Sequence, residues 1–363
     1  MNKKLVLLSI ALLVCTVLVL VGCSSSPFTT GAASTTSSSV SQPIELKFSY
    51  WPPPADPFVQ NWILPWGPAL EKATNGKVKV TYFGGATLGA PPDHLDLVMN
   101  GTADIGWINP AFTPGVFPLT DIRNLPFLYP TVQVAAKVFW KQQEILNPIE
   151  YTKVKVLATF PTPPMELSTA KKPVRTLEDF AGLKFGETEP MLAKMDALLK
   201  LSPVVMQETE IYTGLERGLL DGRFQEYNGL VVWKCGEVTK YRVDNVRIAT
   251  HQNMLIMNLA KYNSLPADIR KAIDDSTGFN FSAASGDVWA KAEDESKAAI
   301  LAQDKAKGNP APYVLPDAER ARWIAAAQPV IDAWLKDMAD KGQGSVAQNL
   351  LDKTKQWVKD YSN

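Results

Sequence analysis

Apolar and polar residues alternate over 44–50 (IELKFSY) and 77–82 (KVKVTY), the period-two pattern of strands with one buried face. Mostly apolar short runs at 103–107 and 254–258 read as buried strands, and 154–160 and 203–206 as further strands. Between them, apolar residues recur at helical spacing over 59–74, 93–100, 132–147 and 189–200. Pro65 and Pro68 interrupt the first of these helices, and Asn75 and Gly76 stop it. Strand, loop, helix, strand in that order predicts parallel crossovers and an α/β fold.

One unit occurs twice. The stretch 210–222 (EIYTGLERGLLDG) reads as a short helix, a glycine stop and an abrupt turn into a strand. Thr209 is placed to cap that helix, and Ile211 and Leu215 share a face. The stretch 97–106 (LVMNGTADIG) has the same form, and Gly101/Asp104 and Gly218/Asp221 are identically spaced. Gly218 suits the left-handed residue that ends a helix. Two readings are open: a common helix exit used twice by chance, or two similar lobes presenting their strand starts to a shared cleft.

Residues 109–130 are rich in proline and aromatics and read as ordered loop. Thr176 to Asp179 resembles a capping box, and 281–307 runs as one long helix. Amphipathic segments at 320–335 and 346–361 follow, with Trp323, Trp334 and Trp357 assigned to core.

The 363 residues are too many for one small core and suit two lobes. Lys+Arg and Asp+Glu are equal at 37, so no positive field invites nucleic acid. Two His and three Cys make a dedicated metal site improbable, and no cofactor motif is present. Lys3 and Lys4, the apolar run 5–21 and the tetrapeptide Leu20 to Cys23 form a signal peptide ending in a lipobox-like site. That resemblance implies cleavage before Cys23 and lipidation of its sulfur. An uncleaved membrane anchor is the other reading, although the run is near the lower length for a span. Cys15 leaves with the signal, and Cys235 alone forms no intrachain disulfide; it reads as buried and inert. Residues 24–42 are rich in Ser, Thr, Ala and Gly and read as a flexible tether.

No zinc-protease, nucleophile-elbow, P-loop or dinucleotide motif occurs. His94 and His251 have no neighbouring pattern of a triad or metal site and read as structural or surface residues.

Residues 210–222 resemble the E-x-Y-x-A-L-Q-x-G-x-V-D-G signature of TRAP-transporter solute receptors of the DctP type. Residues 115–118 (GVFP), 125–127 (LPF), 177–184 (LEDFAGLK) and 265–266 (LP) match that family in order. The resemblance covers roughly 46–275. It implies a two-lobed periplasmic-binding-protein-like fold, each lobe a mainly parallel sheet flanked by helices, with a long helix spanning the hinge. The expected organisation is signal peptide 1–22, lipidated Cys and linker 23–43, lobe one from 44–163 and 251–290, and lobe two from 164–250 and 291–363. It implies an extracytoplasmic receptor, tethered to the membrane by lipid, that binds a small organic solute between its lobes and passes it to membrane permease subunits without chemistry. A receptor for an ATP-driven importer is the runner-up, and a lipoprotein hydrolase or lyase on the same scaffold is the alternative of a different class.

The family holds carboxylates with two arginines, whose planar forks give paired charge-assisted bonds. Here Gly186 stands where the family has one Arg, and Glu166 stands near the other position. Gln225 replaces a contacting Asn and keeps both donor and acceptor. Arg223 is the candidate to restore the lost charge. With Glu187 beside Gly186, the expected ligand is neutral, cationic or metal-bridged rather than a simple dicarboxylate, unless these glutamates face water and an acid is held elsewhere. Trp51 and Trp107 end strands and are candidates to stack on a ligand, with core packing as the plain alternative. Tyr212 matches the family tyrosine and either packs beneath the site or touches the ligand. Glu187 and Gln225 are expected to border one crevice.

Overall fold

The first alternating segment forms β1 (Ile44–Ser49), with Leu46 and Phe48 buried on its inner face. The computed structural model describes residues 42–363, which form one unit, Gln42–Asn363. Cys23, the signal segment and the linker through residue 41 lie outside the described residues.

In chain order, β1 is followed by α1 (Leu64–Ala73), β2 (Val78–Phe83), α2 (His94–Met99), β3 (Ile105–Ile108), α3 (Val132–Glu150) and β4 (Val154–Pro161). Then come β5 (Glu166–Thr169), β6 (Lys184–Glu187), α4 (Pro190–Leu198), β7 (Ser202–Val205), α5 (Glu208–Glu216), β8 (Gly222–Gln225), α6 (Tyr227–Val232), α7 (Cys235–Val238) and β9 (Tyr241–Asp244). The chain ends with β10 (Gln252–Asn258), α8 (Leu259–Ser264), α9 (Ala267–Asp275), α10 (Phe279–Lys307), β11 (Tyr313–Val314), α11 (Asp317–Asp340) and α12 (Gly344–Ser362). The expected interruption near Pro65 is a change of helix type. A π-helical turn, Val59–Ile63, runs into α1, where Pro65 sits in the first turn and Pro68 lies inside.

Two sheets result, ordered β2-β1-β3-β10-β4 and β11-β9-β5-β8-β6-β7. The first is parallel across β2, β1 and β3, and the second across β7, β6 and β8. Each is therefore mixed: β10 runs antiparallel to β3 and β4, and β5 runs antiparallel to β8 and β9. The antiparallel members carry the chain between lobes. One passage leads from β4 to β5 and the other from β9 to β10, so outbound and returning strands lie side by side in opposite directions. The passages bond to each other: Met165 N–H donates to the Ala249 carbonyl at 2.8 Å, and Ile248 N–H to the Met165 carbonyl at 3.1 Å.

The duplicated unit folds the same way twice. Gly101 and Gly218 have φ of +77° and +70°, the left-handed exits the spacing predicted. The Asp104 carboxylate accepts the Lys47 N–H on β1 at 2.8 Å, and Asp221 accepts the Lys184 N–H on β6 at 2.9 Å. The backbone N–H groups of the same aspartates donate to the carbonyls of the same lysines. Both copies therefore dock on a neighbouring strand in the same way, but the strand starts they lead into do not line the cleft, which lies at the opposite ends of the strands. Thr209 does not cap α5. The helix begins at Glu208, two residues earlier than a Thr209 cap would place it, and the Glu210 carboxylate accepts the Gln207 N–H, which makes Gln207 the cap.

α10 joins the lobes. Its first half packs on α3 and β4, and its second half on α6. The Glu293 carboxylate accepts the Tyr227 and Asn228 N–H groups at the start of α6, both at 2.8 Å. Near the helix end, Asp304 forms a buried ion pair with Arg242 of β9. α11 packs on α4, burying Trp323 against Phe180. α12 lies instead on α3, where Trp357 joins Tyr129 and Phe139. The last helix thus packs with the first lobe's elements, although the sequence reading grouped it with the second.

Candidate functional site

The C-terminal ends of corresponding strands face each other. Trp51 follows β1 and Asn109 follows β3; Thr188 follows β6, Gln225 ends β8 and Glu226 follows it. Strand carboxyl ends are where open α/β sheets hold ligands. Here they border a small cavity of about 60 Å³.

Aromatic rings dominate its walls. Trp51, Trp107 and Phe112 come from the first lobe, Trp233 from the second and Trp289 from α10. Trp51 and Trp233 lie nearly parallel across the cavity, with centroids 6.4 Å apart and planes at 17°. Trp107 is fixed by donating from Nε1 to Asn253 Oδ1 at 2.9 Å. A wider opening, bordered by Pro53, Pro54, Pro91 and Pro92, lies outside the Trp51–Trp233 pair.

The polar lining is acid-rich. Asp56, Glu208 and Glu226 face the cavity, with His251 the one basic lining residue. Arg223 stands behind Glu208, its Nη1 and Nη2 donating to the two carboxylate oxygens at 2.7 and 3.0 Å. Burial works against the charge on both partners, but their mutual attraction outweighs it: Arg223 is pushed up and Glu208 is held below the usual range. His251 Nδ1 lies 2.7 Å from a carboxylate oxygen of fully buried Glu189. Burial disfavours the imidazolium, yet Glu189, Glu226 and Glu208 together raise it to about 9. Burial raises Glu226 and Asp56. Gly229 makes room for this arrangement, since a Cβ there would meet Gln225 Nε2 at 2.5 Å and Glu226 Oε1 at 2.8 Å.

Among the residues singled out from the sequence, Trp51, Trp107 and Gln225 line the cavity. Arg223 reaches it only through Glu208. Glu187 does not border the crevice shared by Trp51 and Gln225: it is fully buried, and burial and the facing carboxyl of Asp196 push it well above the carboxylate range. Gly186 points into the second lobe's core, where a Cβ would meet Leu220 Cδ1 at 2.7 Å. Glu166 turns to the interlobe passage and accepts the Val246 N–H at 2.7 Å, and burial raises it to about 7. Tyr212 donates along its own helix to Glu216 and lies outside the cavity. Buried Cys235 has its thiol pushed up by desolvation.

Sequence reasoning passed over Asp56, Asn109, Phe112, Glu208, Glu226, Trp233 and Trp289, and placed His251 among structural residues. The available signal was position: each residue just beyond a strand's carboxyl end deserved the scrutiny given to Trp51. Trp289 carried no such mark, because it comes from the middle of a long helix.

The fold and cleft define a two-lobed receptor that encloses a small solute. Residues 48–337 match the model of bacterial extracellular solute-binding protein family 7 (DctP), and the chain belongs to that family. It is 25% identical over 303 residues to the C4-dicarboxylate-binding periplasmic protein DctP of Rhodobacter capsulatus, covering 81% of this chain and 87% of the relative. The crystal structure of a TRAP solute-binding protein from Rhodoferax ferrireducens, in complex with copurified benzoate, superposes with a TM-score of 0.82 at 27% identity, over 88% of this chain and 98% of that one. A marine metagenome TRAP solute-binding protein specific for aromatic acids, with 3-hydroxybenzoate, gives the same TM-score of 0.82 at 26% identity, over 89% and 100% of the chains. Among the first curated relatives the matched region spans 55% of one protein and 76% of the next. The described residues contain no helix long and apolar enough to cross a membrane and no group of three or more His, Cys, Asp or Glu placed to hold a metal.

Proposed function

We propose that this chain is the receptor of a tripartite, ion-gradient-driven transporter, held outside the cytoplasm by a lipid on Cys23. It closes its lobes on a small organic solute and hands that solute, unaltered, to membrane permease subunits. The single observation that carries this is the cavity at the facing strand ends, walled by rings from both lobes and bridged by paired backbone passages. Closure then follows from contacts made only when the lobes meet. The solute is not a simple dicarboxylate, because the one guanidinium near the cavity is already engaged by Glu208. Trp51, Trp107 and Gln225 contact it directly, and Arg223 acts by orienting Glu208.

Native mass spectrometry of freshly purified protein tests the reading: a small molecule should be retained and leave with its mass unchanged. Tight titration by succinate or malate would refute the ligand assignment. For the anchor, replacing Cys23 with Ala should release the protein from the membrane fraction; unchanged retention would refute it.

A further inference from the structure

The unpartnered polar atoms of the cavity say what kind of solute completes it. Gln225 and Glu226 are 2% and 6% exposed, and both line the cavity. The Gln225 amide donates from Nε2 to Glu208 Oε1 at 3.1 Å; a carboxylate accepts only, so this bond fixes the amide and leaves Oε1 as the free end. Gln225 Oε1 and Glu226 Oε2 are buried with no hydrogen-bond partner. Two acceptors facing one enclosed space, one of them a carboxylate, need N–H or O–H donors from the solute. Trp51 Nε1 and Trp289 Nε1, also buried, unpartnered and in the cavity wall, need an acceptor.

Charge selects among donors. Asp56, Glu189, Glu208 and Glu226 stand in or directly behind the wall against Arg223 and His251, two more carboxylates than cations. Both cations are paired, Arg223 with Glu208 and His251 with Glu189, which leaves Asp56 and Glu226 without a basic partner. Asp56 spends one oxygen on the Phe58 and Val59 N–H groups. An anion entering this space would meet carboxyl groups with no free basic partner to receive it, whereas a cation would be shared between them and the rings. Trp and Phe faces attract cations in the same sense, and do so most strongly where water is excluded.

We infer that the cavity takes a small organic cation with N–H groups, a protonated amine or amidinium, whose nitrogen donates to Gln225 Oε1 and Glu226 Oε2 between the rings, and whose far end carries an acceptor for the Trp51 and Trp289 indoles. This deepens the receptor reading and rests on it. It also distinguishes the chain from the aromatic-acid receptors it resembles in fold.

The test is calorimetric titration of the purified full chain with tyramine, benzylamine and benzamidine, the neutral benzyl alcohol and the anion benzoate, alongside chemical identification of any solute retained on purification. At least one amine or amidine should bind about ten-fold or more tighter than benzyl alcohol, and Glu226→Gln should narrow that advantage by about ten-fold. Benzoate binding tighter than every cation overturns the inference, as does a Glu226→Gln variant that binds the cation undiminished. Should no probe bind, the retained solute decides: a basic nitrogen compound supports the inference, and an acid without one overturns it while the receptor reading survives. A protein that retains no solute and binds no probe fails both.

Discussion

Glu189, just beyond β6 in the second lobe, accepts a hydrogen bond from the Asn109 side-chain amide, just beyond β3 in the first, at 2.7 Å. Asn124 and His251 converge on the same carboxylate, which has no solvent exposure. One second-lobe side chain thus receives two first-lobe amides and a ring from the interlobe passage, so it acts as a latch. Replacing Glu189 with Ala strips His251 of its counter-ion in a buried setting, a loss of about 3–5 kcal/mol. Urea unfolding should show that loss, and small-angle scattering should show a larger radius than the parent under identical conditions.

The His251 pair sets a pH dependence. The folded-state value, about 9, lies above the ordinary 6.5 of a free imidazole, so the folded form binds the extra proton. Stabilisation is complete below 6.5 and is lost as pH rises through the window up to about 9. Midpoints of thermal unfolding should fall across that window in the parent and fall less in a His251→Gln variant. An equal slope in both would show that other groups carry it.

Glu187 and Asp196 make a second pH element. They are buried together without a cation of their own, and their raised values favour the protonated pair in the fold. Stability from this pair is greatest below the ordinary carboxylate range near 4 and declines as pH rises above it. Asp196→Asn mimics the protonated state and should raise stability at pH 8 by about 1 kcal/mol or more, measured by denaturant midpoint. A destabilised variant at pH 8 would contradict this.

Restoring the family arginine at 186 should not restore a carboxylate site. A side chain there enters the space filled by Leu220 and Ile211. Gly186→Arg should cost about 3 kcal/mol through overpacking and a buried charge, and the variant should gain no succinate affinity by calorimetry. Gly186→Ala should cost less, because the atom it meets is the end of a flexible leucine.

Asp104 and Asp221 offer a matched pair. Each loses one bond to a strand N–H on replacement by Ala, a cost of about 1–2 kcal/mol apiece. The sites belong to different sheets and share no partner, so the double variant should show the sum within about 0.5 kcal/mol. A large departure from the sum would mean that the two sites are energetically coupled through the fold.

Fold was readable where periodicity and turn chemistry agreed. The alternation at 44–50, the glycine exits at 101 and 218 and the unbroken pattern at 281–307 each specify an element locally. The mixed sheets were not readable, because direction relative to a neighbour is set by where the chain crosses between lobes, and no residue marks that. For the site, Trp51 and Trp107 stood out because they were read at strand ends, and Gln225 because it stands where the resembled family has a contacting Asn. Glu187 and Gly186 misled, since consecutive strand residues face opposite sides and one position decides between core and cleft. Glu208 and Glu226 were invisible as a pair: their closeness comes from the fold of the second lobe, where the guanidinium behind Glu208 holds it low while burial raises Glu226.

The rod formed by Phe279–Lys307 limits how the molecule moves. Because it is gripped by α3 and β4 at one end and by α6 and the Arg242–Asp304 pair at the other, it holds the two sheets at a set spacing. A rod held at both ends opposes separation of the sheets more than it opposes rotation about the paired passages. A membrane partner touching both halves could therefore read the angle between them and register cargo it never contacts.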